Sequence, residues 1–139
     1  MAAPTRSLFS VLQDVRARLD RHDDTITFIV ADITSWTPSR TWKVWHDRAV
    51  FHFLTDTASQ EAYLRSLREA LQPGATAIIA TFALDGPERC SGLPVQRYSG
   101  ATLAARLGPS FQLAAESTER HVTPKGGEQL FTYAVLLRR

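Results

Sequence analysis

The sequence predicts an α/β domain: a mostly parallel sheet of about five strands, helices on its faces, and an antiparallel hairpin at the C-terminal end. Three observations lead there. Two apolar runs of strand length, residues 25–33 and 75–82, are nearly continuous rather than alternating, as in strands covered on both faces. Around them apolar residues recur at spacings of three and four, the mark of amphipathic helices. The last two strand-like runs, 111–122 and 130–137, flank Thr123-Pro124-Lys125-Gly126-Gly127 and read as a hairpin. Alternating strand and helix, then a hairpin, argue for a parallel sheet with one antiparallel edge strand and right-handed crossovers.

The first helix is expected over residues 7–21, where Leu8, Val11, Leu12, Val15 and Leu19 make one apolar stripe and Phe9 lies off its centre. Asp23-Asp24 ends that pattern, and the run 25–33 follows, with Ile26, Phe28, Ile29, Val30 and Ala31 leading to Asp32. Trp36-Thr37-Pro38-Ser39 is a turn, residues 41–46 are a shorter strand, and residues 49–54 carry apolar groups over a compact turn of helix. Thr57 and Gln60 have the capping-box form, in which each side chain satisfies a free amide of the other residue. The helix they open buries Leu64, Leu67 and Leu71 and stops at Pro73-Gly74. Beyond the central strand 75–82, residues 85–94 hold too many turn formers to be regular. A short helix over 99–107 is closed by Gly108-Pro109. No repeat or linker interrupts the 139 residues, so one domain is expected: an N-terminal helix (1–24) and a sheet body (25–139).

Composition narrows the function classes. Hydrophobic residues make up 44% and charged residues 22%, values of a folded chain rather than a disordered one. Apolar runs fall far short of the roughly 20 residues that cross a bilayer, and MAAPTRSLFS lacks the apolar centre of a secretion signal. One cysteine, Cys90, allows no internal disulfide, so the cytoplasm is the default compartment. Net charge is only +2, and the basic residues are scattered without interleaved aromatics; they read as solvated helix faces, not as a nucleic-acid surface.

Four features then come in a telling order: the acid Asp32 ending an apolar run, Trp45-His46-Asp47-Arg48, Pro73-Gly74 before the central strand, and the closing hairpin. From about residue 26 onward the chain resembles the later part of the class I S-adenosylmethionine-dependent methyltransferases, a Rossmann-like, doubly wound fold. HDRAVFHFL is similar to a subgroup of bacterial small-molecule methyltransferases. The resemblance implies that Asp32 and Ile33 take the adenine side of the cofactor. It places Trp45, His46 and Asp47 where methionine-side and substrate groups converge, and turns the loops 85–93 and 121–127 toward substrate. Asp47, Arg48, His52, Arg89 and His121 are then the substrate-side candidates. Here the chain departs from the family pattern: nothing before Asp32 resembles the glycine-rich strand-to-helix turn that grips the cofactor. The resemblance therefore covers a C-terminal portion, a truncated methyltransferase-like domain.

Methyl transfer needs positioning and sometimes a base. His46, Asp47, His52 and His121 can serve as bases; Asp47 can equally cap the turn after it, and His52, amid Phe51, Phe53 and Leu54, can simply be packed. No histidine or cysteine spacing suggests a metal site. If the first two strands of the family sheet are missing, their neighbours would leave unpaired backbone groups, each costing about 1–3 kcal/mol when buried. The sheet is therefore expected to close with residues 25–33 beside residues 41–46, or to borrow pairing from a second chain. The expectation is a domain that binds no S-adenosylmethionine alone and acts as a binding or oligomerisation module, with a homodimer or a missing N-terminal half as partner. The alternative is a working methyltransferase for a small molecule whose cofactor site a partner chain or split half completes.

Overall fold

The computed structural model describes residues 25–139, together with Gln13, Asp14, Ala17 and Arg18. Those four are helical and exposed; the rest of the predicted first helix, Phe9 included, lies outside the described residues. The chain divides into two compact units, residues 1–32 and residues 33–139.

Residues 26–32 form no strand. The expected strand over 25–33 and its closure beside the next strand are therefore not found, and Ile29 and Val30 are 56% and 61% exposed. An apolar run records what its side chains favour, but a strand exists only where a neighbour takes up its amides and carbonyls.

In the second unit a four-stranded sheet is made by β1 (Trp42–Arg48), β2 (Leu71–Phe82), β5 (Phe111–Val122) and β6 (Glu128–Arg138), in the order β1-β2-β6-β5. A two-stranded ribbon, β3 (Arg89–Cys90) with β4 (Leu93–Pro94), stands in the loop after β2. Only β1 and β2 pair in parallel; β2–β6 and β6–β5 are antiparallel. The sheet is thus mixed, not mostly parallel, and has four strands rather than about five. The cause is β6, which inserts between β2 and β5 and converts one parallel neighbour relation into two antiparallel ones.

Two helices supply the crossovers, α1 (Thr57–Ala70) and α2 (Gly100–Leu107). The expected Thr57–Gln60 capping box does not form. Asp56 caps α1 instead, accepting from the Ser59 amide at 2.8 Å, while the Gln60 side chain donates to the Leu54 carbonyl at 2.8 Å. The helix ends at Ala70, and β2 begins at once, with Gly74 at φ +95° beside a shift in register against Trp42 and Val44. On α2 a reciprocal box does form, between Ser99 and Thr102. Glu116 of β5 accepts from the Gly100 amide, a carboxylate at the positive end of the helix dipole.

Both helices pack on one sheet face. Tyr63, Leu64 and Leu67 of α1 and Leu103 and Leu107 of α2 close over Ala77, Ile79, Ala134 and Leu136, the main core. Each buried leucine there contributes about 2 kcal/mol. The opposite face carries Val44, Ile78, Val135 and Leu137 and no helix among the described residues; Val44 and Leu137 remain 55% and 41% exposed. At its carboxyl end Ala80, Phe82 and Phe131 form a second cluster with Ala49, Cys90 and Val95.

Candidate functional site

Open α/β sheets present ligands beyond the carboxyl ends of their strands. Here β1 ends in Trp45-His46-Asp47-Arg48, and alternation sends Trp45 and Asp47 to the helical face, His46 and Arg48 to the open one. Asp47 is buried, and its carboxylate accepts from the Val50 amide at 2.9 Å, the Phe51 amide at 3.0 Å and the Tyr63 hydroxyl at 2.5 Å. To aim those two amides back at Asp47 the chain must turn sharply, and Ala49 takes φ +65°, a left-handed conformation uncommon for a residue with a Cβ. Burial pushes the Asp47 carboxyl above its ordinary value, against the hydrogen bonds from Tyr63, Phe51 and Val50 that favour the charged form. Burial, and then the Asp47 charge, raises the Tyr63 phenol well above 10.0. The same hydroxyl accepts from Trp45 Nε1 at 3.0 Å, so one chain of bonds locks indole, phenol and carboxylate.

The turn that Asp47 holds presents His52, which is fully buried. Its Nδ1 accepts the Phe82 amide at 3.0 Å, its ring stands edge-on to Phe53 and Phe82, and Nε2 has no protein partner. Burial lowers the His52 pKa to about 4, so the ring is neutral near pH 7. On the open face the Arg48 guanidinium lies 4.5 Å over the Phe131 ring and its Nε donates to the Tyr133 hydroxyl at 2.9 Å. His121 stands edge-on to the same Phe131 ring, with centroids 6.3 Å apart.

The structure thus joins Trp45 to Asp47 through Tyr63, and sets Arg48 and His121 against one phenylalanine. His46 is exposed on the open face. Arg89 stays apart, its Nη1 donating to the Gly92 carbonyl 2.9 Å away within its own ribbon. Asp32 belongs to the first unit; Ile33 opens the second and is half-buried against the main core. The loop after β2 and the final hairpin meet around a cavity of about 370 Å³ lined by Asp85, Gly86, Pro87, Arg120, Glu128 and Leu130. Sequence reasoning missed Tyr63 and Tyr133. Tyr63 sits at core spacing on α1, and the one available signal is that a buried phenol needs a hydrogen-bond partner. Among the described residues no three His, Cys, Asp or Glu are grouped to hold a metal ion, and no helix is long and apolar enough to cross a membrane.

Compared with solved structures, the chain has a methyltransferase-like α/β fold, that of the class I S-adenosylmethionine-dependent methyltransferases. One neighbour is the 1,6-didemethyltoxoflavin-N1-methyltransferase of Burkholderia thailandensis, with bound 1,6-didemethyltoxoflavin and S-adenosylhomocysteine (TM-score 0.68, 17% identity, 90% of this chain and 56% of that one). Others are the N-methyltransferase NodS of Bradyrhizobium japonicum with S-adenosylhomocysteine (TM-score 0.64, 10% identity, 88% and 60%) and the glycopeptide N-methyltransferase MtfA with S-adenosylmethionine (0.66, 14%, 94% and 74%). The chain spans 56% and 60% of the length of the first two. No family model and no curated protein matches the sequence.

Within the second unit Ile33 is half-buried against the main core, Trp45 is tied to Tyr63 on the helical face, and His46 stands exposed on the open face of β1, which pairs only with β2 among the described residues.

Proposed function

We propose that these residues form the substrate-side part of a methyltransferase-like fold, that they do not transfer methyl groups by themselves, and that they act as a binding or oligomerisation module. One observation carries the reading: β1 pairs in parallel with β2 yet has no strand on its other side among the described residues, which suits a further partner there. Parallel strands are ordinarily covered and flanked. The exposed Val44 on the adjoining open face adds support for a second protein surface, and a homodimer is the simplest symmetric source of one.

That open edge also favours the second reading, in which a partner chain or split half adds strands there and completes a site for S-adenosylmethionine and a small-molecule acceptor. In that reading Asp32, Ile33, Trp45 and His46 face the cofactor and Asp47, Arg48, His52, Arg89 and His121 lie toward substrate. Calorimetric titration of the 139-residue chain with S-adenosylhomocysteine tests the first reading. No heat of binding is expected from the chain alone; saturable binding that Asp32→Ala abolishes would overturn it and leave the second, with another copy of the chain completing the site.

A further inference from the structure

The register of the open face sets Arg48, Ala80 and Tyr133 in one row across three strands. Ala80 has the smallest side chain that a strand can present short of glycine, so the Arg48 arm can lie flat across it and reach the Tyr133 hydroxyl on β6. Its guanidinium is held twice over, by the Phe131 ring 4.5 Å beneath it and by the phenol oxygen 2.9 Å from Nε. Arginine so clamped has lost most of the side-chain freedom that makes exposed cations weak binders.

What remains unused is specific. Nε is occupied, and among the described residues no carboxylate pairs with Nη1 or Nη2. Glu119, opposite Phe131 in the β5–β6 register, makes no ion pair with Arg48. The Tyr133 hydroxyl accepts from Nε and has no acceptor of its own among the described residues, so its proton can point outward. His46, one row back on the same face, is exposed, and His121 stands edge-on to Phe131. The cluster stands at the carboxyl ends of β1 and β2, where this class of sheet receives ligands.

From this juxtaposition of a clamped guanidinium, a phenol proton and a charge that no described carboxylate pairs, we infer that Arg48 and Tyr133 bind the carboxylate of a small organic acid on the open face. The planar carboxylate takes the paired Nη1 and Nη2 protons side by side, the geometry in which a guanidinium fork is most selective. Ammonium at the same place would supply charge without the fork. The site is independent of any methyl donor: a chain that fails to bind S-adenosylhomocysteine still binds the acid.

The test follows the Arg48 Nε–Hε signal of the full chain by nuclear magnetic resonance during titration with benzoate, with neutral benzamide and inorganic phosphate as separate arms. Benzoate is expected to shift that signal saturably, benzamide to leave it unmoved, and phosphate to bind more weakly. Followed by the backbone amide signals of Arg48 and Tyr133 and of the residues that replace them, Arg48→Lys is expected to weaken benzoate binding about tenfold although charge is kept, and Tyr133→Phe to weaken it by less. Each variant is checked for native circular dichroism; if Arg48→Lys does not fold, Tyr133→Phe carries the comparison. Benzamide acting like benzoate, phosphate binding as tightly, or unchanged affinity in Tyr133→Phe and Arg48→Lys would each overturn the assignment. So would an Arg48 that matters to stability while benzoate gives no saturable shift, since that is the behaviour of a guanidinium present only to cover Phe131.

Discussion

Tyr63 does more for the turn after β1 than its place on an amphipathic helix suggests. Its one hydroxyl donates to Asp47 and accepts from Trp45, so Tyr63→Phe leaves a buried carboxylate short of a donor and an indole N–H unpaired. Unfolding in urea is expected to show a loss of about 2–3 kcal/mol, larger than the typical single hydrogen bond, because both partners stay behind unsatisfied. His52 makes the second residue-scale prediction. Its pKa falls from 6.5 to about 4 in the fold, so below pH 6.5 the unfolded chain takes a proton that the folded ring refuses. The stability from this ring is whole above pH 6.5 and drains away as pH falls to about 4, by up to about 3 kcal/mol. Asp47 works in the opposite sense, since its raised carboxyl favours the fold on the acid side. Comparing urea midpoints at pH 7.5 and 4.5 in the parent and in His52→Gln isolates the histidine: the variant is expected to show a flatter pH dependence.

Among the elements, α2 gives the plainest forecast. Ser99→Ala removes the half of the box in which the Ser99 hydroxyl accepts from the Thr102 amide, leaves the Ser99 amide donating to Thr102 Oγ1, and should cost about 1 kcal/mol, read as a lower urea midpoint. The contrast with α1 shows how far local signals reach. Thr57 and Gln60 have the commoner box signature and do not make it, because Asp56 reaches the Ser59 amide first and Gln60 turns back to Leu54. Ser99 and Thr102 lack the acidic or amide partner that the signature asks for, and they do cap each other. Strand β5 and both helices were legible because their periodicity is local, and β1 was legible to within two residues for the same reason. Residues 25–33 misled for a different reason: whether an apolar run becomes a strand depends on a neighbour, and nothing within the run encodes one. The site divides likewise. The row Arg48, Ala80 and Tyr133 joins residues 32 and 53 positions apart, set side by side only by a register that pattern reading cannot supply.

At the scale of the whole molecule, the open face and the outer edge of β1 are where the proposed association can be tested. If the chain pairs with a second copy there, light scattering should return twice the 15.5 kDa protomer mass, and Val44→Glu should bring it down to one protomer. A single-protomer mass for the parent would reject the homodimer while leaving a different partner for the edge. Sheet order has one more outcome, in time rather than in energy. Among the described strands, β2 and β6 are bonded on both sides, whereas β1 and β5 pair on one side only. In a protomer that has not associated, deuterium should therefore enter β1 and β5 at every second amide within the shortest labelling times, while the two central strands stay protonated until the domain opens as a whole.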